Sequence, residues 1–315
     1  MLKKKGMIEF SWMFALIIGA VILFLAFYFI GTKFTEKKVL SSIETEQSLD
    51  IIFNPFSSFG SLGATSSKVI ELNKPEKLNF SCDFNNLGYN GILASTESVN
   101  KPRLVYDKYL FTENSSSGKD FQIISKPFSM PWRVADLIYF IPKDTFYCFV
   151  GFNDAEDEFG SGGTGLNISN FQFEVDKTKC PELSVKICKI PIPGCDVTVD
   201  YGSGIVGTVI KSSGRSYFVD DATMYAAIFS DPYIYNCNLK RLAKRIDYQT
   251  GVYMGKASAI SSRCSTSFNL GLLKEKAGDL YNARNPGEFK TNLEYLKNSA
   301  DNLKNQNMGA DCRLY

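Results

Sequence analysis

The chain has 315 residues, with 35 Lys and Arg against 33 Asp and Glu, a formal net charge of +2. That balance leaves no electrostatic footprint for nucleic acid, and the length allows one large domain or two ordinary ones. There is no His, which excludes Ser-His-Asp and Cys-His catalysis, His-ligated zinc and proximal haem ligation together.

Aromatic residues make up 14% of the chain, with 25 Phe and 16 Tyr. That content points to a packed, β-rich core rather than disorder. The basic leader 1–9 contains Lys3, Lys4 and Lys5. Residues 10–31 then run for 22 positions without a charge. A helix needs about 20 apolar residues to cross a bilayer, so this segment is expected to span a membrane. Phe27, Tyr28 and Phe29 suit the far interface. A cleaved secretory signal has a shorter apolar run and a small-residue cleavage site. Here Thr32-Lys33-Phe34 follows instead, and the reading is a retained anchor.

Lysines flank the segment equally, three on each side, so they do not orient it. The eight cysteines do. Cys82, Cys148, Cys180, Cys188, Cys195, Cys237, Cys264 and Cys312 all follow the apolar run, with no zinc-type CxxC pair. Disulfides persist outside the cytoplasm. The expectation is a cytoplasmic N-terminus and an extracellular bulk. Residues 32–54 continue as a helical stalk, with Phe34, Leu40, Ile43 and Ile51 at roughly helical spacing. Asn54-Pro55 ends it.

Three features of these first 54 residues go together. A short basic leader ends in Gly6, the acid Glu9 precedes the apolar stretch, and that stretch runs on into an amphipathic helix. In this the region resembles type IV pilin-like proteins, especially archaeal ones with class III signal peptides. The resemblance implies cutting by a prepilin-type peptidase between Gly6 and Met7, and a mature helix able to pack into a filament. Glu9 would be the third mature residue, where the family usually carries its acid fifth. Such an acid can pair with a neighbour's freed amine. The implied partners are the membrane, further copies or other surface proteins, and the peptidase.

Beyond a Ser/Gly loop at 55–67, short apolar runs punctuated by Pro and Gly predict strands at 67–72, 76–83, 103–111, 119–127, 134–141, 145–151 and 169–176. They predict a β-sandwich-like domain over 55–182. Leu137 to Ile141 is the most apolar run and is expected to be central. Residues 152–166 read as a flexible acidic loop. Asp154, Glu156, Asp157 and Glu158 invite a calcium reading, but the D-x-D-x-D-G register is missing, and a solvated loop is expected. Residues 183–220 form a hairpin region. Within it, Gly202 to Gly207 matches G-x-G-x-x-G. A dinucleotide site would need a helix to start there, and Thr208-Val209-Ile210 cannot supply one, so a glycine-rich hairpin is expected.

The last segment, 221–315, reads as helical, over 221–230, 232–256, 268–282 and 287–306. Leu270, Leu273, Ala277 and Leu280 share one face, as do Phe289, Leu293, Leu296, Ala300 and Leu303. An antiparallel helical bundle packed on the sheet domain follows. The fold class is therefore α+β with a transmembrane helix and stalk.

Eight cysteines allow 105 pairings. An up-down-up bundle would bring Cys264 and Cys312 to one end, with Cys237 at the other and paired elsewhere. Cys188 with Cys195 across Pro191 to Gly194, and Cys82 with Cys148 between strands, are further guesses. Asn79, Asn114 and Asn167 open N-x-Ser sequons, and Asn114, in a polar run, is the one most expected to be exposed. No catalytic constellation stands out, and no cofactor or metal is expected. The sequence reads as a membrane-anchored, disulfide-bonded structural or interaction protein of the cell surface, or else an anchored binding module for a glycan, peptide or protein.

Overall fold

The computed structural model describes residues 17–28, 64–95, 102–161, 165–261 and 267–315. Residues 17–28 form a helix (α1) whose apolar side chains are exposed, Phe24 and Phe27 the most. Among the described residues no helix is long and apolar enough to cross a membrane. The transmembrane helix expected over 10–31 is therefore not part of the observed architecture. Its flanks, 10–16 and 29–31, lie outside the described residues, as do the stalk 32–54 and Gly6, Met7 and Glu9.

The expected β-sandwich is also replaced. Twelve strands form two mixed six-stranded sheets. The first contains β1 (Ser66–Asp83), β2 (Tyr89–Ala94), β3 (Arg103–Tyr106), β4 (Tyr109–Phe111), β5 (Ser115–Ser129) and β6 (Arg133–Pro142), in the order β3-β2-β1-β5-β6-β4. Strand β1 joins the two runs expected at 67–72 and 76–83. Its register against β5 shifts between Glu71 and Glu76, where Pro75 offers no N–H. Strand β2 escaped the sequence reading because Gly88 and Gly91 look like turn signals. Gly88 does turn, at φ 57°. Gly91 lies inside the strand, where a Cβ would strike the Ser81 side chain.

The run expected as one strand at 103–111 breaks at Asp107, which has φ 55°. Its halves, β3 and β4, are opposite edges of the same sheet. Only Asp107 and Lys108 separate them, so the edges approach to within about 11 Å, three Cα steps. The sheet must curl to allow this. Ile70, Leu78, Phe80, Ile92, Val105, Leu110, Phe121, Ile123, Ile138 and Phe140 form one apolar cluster on its concave side. The alternate residues Tyr109, Phe111, Ile124, Leu137, Tyr139 and Ile141 belong to a second, larger core. Strand β6 is buried on both faces, which explains why 137–141 is so apolar.

The second sheet contains β7 (Tyr147–Val150), β8 (Phe171–Glu174), β9 (Val185–Cys188), β10 (Val197–Asp200), β11 (Gly207–Lys211) and β12 (Gly214–Phe218), in the order β12-β11-β10-β9-β7-β8. The three strands β10, β11 and β12 form an antiparallel meander, and β8, β7, β9 and β10 run parallel. This sheet crosses the boundary expected near 182, because β7 takes β9 as its parallel neighbour. The acidic segment is helix α2 (Asn153–Phe159), which carries the chain from β7 to β8 and buries Ala155 and Phe159.

Helix α3 (Asp221–Phe229) buries every residue from Ala222 to Phe229. A helix that is apolar all round must be enclosed, and α3 packs against strands of both sheets. Its start is fixed by Asp220, which caps Thr223 N at 2.8 Å, while Thr223 Oγ1 accepts from Asp220 N. Helix α4 (Pro232–Ile260) packs on α5 (Leu270–Asn282), and α5 on α6 (Pro286–Met308). These helices share the large core with both sheets rather than forming a bundle with a core of its own.

Candidate functional site

Two polar arrangements stand out against this apolar interior. The first closes the seam of the curled sheet. Arg241 on α4 is fully buried. Its guanidinium donates to Leu87 O at 2.8 Å, Lys108 O at 2.9 Å, Gly88 O at 3.3 Å, Asn90 Oδ1 at 2.5 Å and Asn238 Oδ1 at 2.8 Å. It also sits 4.9 Å from the Tyr109 ring centroid. Asn238 donates to Leu110 O at 2.7 Å, and Leu110 N donates to Asn90 Oδ1 at 3.2 Å. One helix thus ties β2 and the β3–β4 link to β4. The guanidinium meets neutral oxygens only, and burial lowers its pKa to about 10. These groups are saturated with internal partners, so they hold the fold and leave nothing for a ligand.

The second arrangement is a cleft of about 500 Å³ where the two sheets meet. Its first wall is the start of β5, with Glu113 just before it and then Ser115, Ser116 and Ser117. The opposite wall is the β11–β12 turn, with Lys211, Ser212 and Ser213. Thr145, Tyr147, Val185 and Asp196 come from the N-terminal ends of the parallel strands, and Ile228 and Phe229 of α3 also line the cleft. Lys211 donates to Glu113 Oε1 at 2.8 Å and to Ser230 O at 2.7 Å. Its side chain is 9% exposed and that of Glu113 49%. Burial lowers the Lys211 pKa, and the Glu113 carboxylate works against this. Burial likewise raises that of the Tyr147 hydroxyl, with Glu113 adding to the effect. Asp196 Oδ2 accepts Lys186 N at 2.8 Å, which sets the carboxylate at the start of β10. The lining is six aliphatic hydroxyls, two acids, one base and a few apolar surfaces. Its volume falls in the range of small-ligand sites.

The sequence missed this cleft, although its hydroxyls come from two short tracts, Ser115-Ser116-Ser117 and Ser212-Ser213. Of the sequons, Asn114 is exposed, between Glu113 and Ser115 at the cleft. Asn79 is half-buried in β1, with Nδ2 donating to Ser95 Oγ at 2.7 Å, and Asn167 is exposed at φ 48°. Glu158 is paired with Lys126 and accepts Thr65 Oγ1 at 2.6 Å. Among the described residues no group of three or more acids or cysteines is placed to hold a metal ion. The 202–207 glycines lie in the β10–β11 connection. Gly207 opens β11, where a Cβ would overlap the Phe218 ring.

Three disulfides crosslink the chain: Cys82–Cys237, Cys148–Cys180 and Cys188–Cys195. The Cys82–Cys148 pairing guessed from the sequence is not formed. Cys82 ends β1 and faces α4, whereas Cys148 belongs to the other sheet. Cys312 is disulfide-bonded as well, and Cys264 lies outside the described residues. Disulfides like these belong to oxidising compartments, which agrees with an extracellular, disulfide-bonded protein. The chain matches no protein-family model, no curated protein and no solved structure.

Proposed function

We propose that the chain is an interaction protein of the cell exterior, with a ligand seated in the cleft between the two sheets. The observation that carries this reading is the cleft itself. It is walled by strand ends of two sheets in one continuous core and lined with hydroxyls rather than apolar fill. Sites built on rigid elements hold their geometry with little reorganisation. A Ser213→Trp variant, at an exposed turn position, tests it. Folded chain immobilised and exposed to cell-surface material is expected to retain a component that the Trp variant does not. Equal retention by both, or none by either, contradicts the reading.

A second reading is carried by residues 1–54. The basic leader, Gly6, Glu9 and the apolar run support a pilin-like subunit, processed by a prepilin-type peptidase and associating with copies of itself or with other surface proteins. N-terminal sequencing of the full chain from its native host tests this. A start at Met7 is expected, and a start at Met1 contradicts it.

A further inference from the structure

The chemistry of the cleft narrows its ligand. Resting on the binding reading above, we propose that it takes an uncharged polyhydroxyl ligand, a saccharide unit.

The cleft's one cation is already engaged. Lys211 donates to Glu113 and to the Ser230 carbonyl, so an incoming anion would have to break a partly buried ion pair to reach it. The remaining charge, Asp196, is negative. An anionic ligand therefore meets like charge at the lining, and an unpaired anion in a partly enclosed site is costly.

What the walls offer freely is hydroxyl. Each Ser or Thr hydroxyl both donates and accepts, so Ser115, Ser117, Ser212, Ser213 and Thr145 complement a ligand whose own groups both donate and accept. A sugar ring is such a ligand, and its C–H faces suit the apolar surface left by Val185, Ile228 and Phe229. Over Ser115 to Ser117 the strand β5 pairs with β1 alone, an edge that a peptide backbone would use, and uncharged peptides are therefore one of the probes below.

Calorimetric titration of the folded, oxidised chain tests this with three probe sets: neutral hexose and N-acetylhexosamine oligosaccharides, uronic-acid oligosaccharides of equal length, and short uncharged peptides. At least one neutral saccharide series is expected to bind, with its acidic counterpart at least about tenfold weaker from like-charge repulsion. Ser213→Trp and, independently, Ser117→Trp should each abolish binding while leaving the melting temperature and far-UV circular dichroism unchanged. Asp196→Asn should narrow the gap between neutral and acidic sugars. Equal or tighter binding of acidic sugars, or binding of peptides alone, overturns the ligand class while the binding module stands. Binding of no probe overturns the inference alone, whereas saccharide binding that survives both Trp variants overturns the inference and the cleft-binding reading with it.

Discussion

Arg241 brings a charge into the protein where no carboxylate meets it. Five carbonyl and amide oxygens share the guanidinium, and their geometry suits a planar fork better than a point charge. Replacing Arg241 with Met should cost about 3–5 kcal/mol, because several buried acceptors lose their donors at once. Lys should recover less than half of that. Urea denaturation of both variants checks the order. Nothing in the sequence marks this role, since Arg241 looks like an ordinary polar position beside the stripe of Leu239, Leu242 and Ile246. Asp220 is different. Its side chain caps α3, yet burial raises its pKa. A carboxylate whose folded pKa is raised opposes folding once it ionises, so stability falls as pH rises from the unfolded value through the folded one. Asp220→Asn keeps the cap and should raise the melting temperature at pH 7. The gain should vanish as pH falls below the ordinary carboxylate range, and a gain independent of pH would contradict it. At the cleft, Glu113→Gln leaves the Lys211 ammonium without its counter-ion. Because Glu113 is half exposed, the expected loss is about 1 kcal/mol at pH 7, shrinking at high pH as Lys211 loses its proton.

At the scale of elements, the crosslinks differ mainly in the loops they close. Cys82–Cys237 joins β1 to α4 across 155 residues, and Cys188–Cys195 spans 7. In the chain-entropy picture these are worth about 5 and about 2 kcal/mol. Replacing each pair with Ser should reproduce that order in thermal unfolding, and a larger loss for the short loop would contradict it. Helices α4 to α6 were legible because their apolar residues recur at helical steps and their caps are explicit, as with Asn285-Pro286 before α6. Most strands were legible too. What could not be read was pairing. Nothing in Tyr109 to Phe111 says that it leaves β3 and joins β6 in parallel at the far edge. Likewise, the acidic residues of 153–159 hide the two buried positions, Ala155 and Phe159, that make it a helix.

For the molecule as a whole, the sequence divides the chain near 182 and 220 by composition, but side chains of both sheets and of α3 to α6 share one core. The cleft exists only because of that sharing, since its walls come from 113–117, 142–147, 185–197, 211–213 and α3. It was illegible in the sequence for the same reason. A fragment ending at residue 220 should therefore not fold alone, since it would expose Tyr139, Phe149 and their neighbours to water. Sharp, dispersed amide resonances from that fragment would contradict the shared core. The claim on which the rest depends is that this core is closed by disulfides in an oxidising compartment. Peptide mapping by mass spectrometry under non-reducing conditions, on protein from its native host, tests it most directly. The expected result is linked peptides joining Cys82 to Cys237, Cys148 to Cys180 and Cys188 to Cys195. A chain recovered with all these cysteines as free thiols would contradict it.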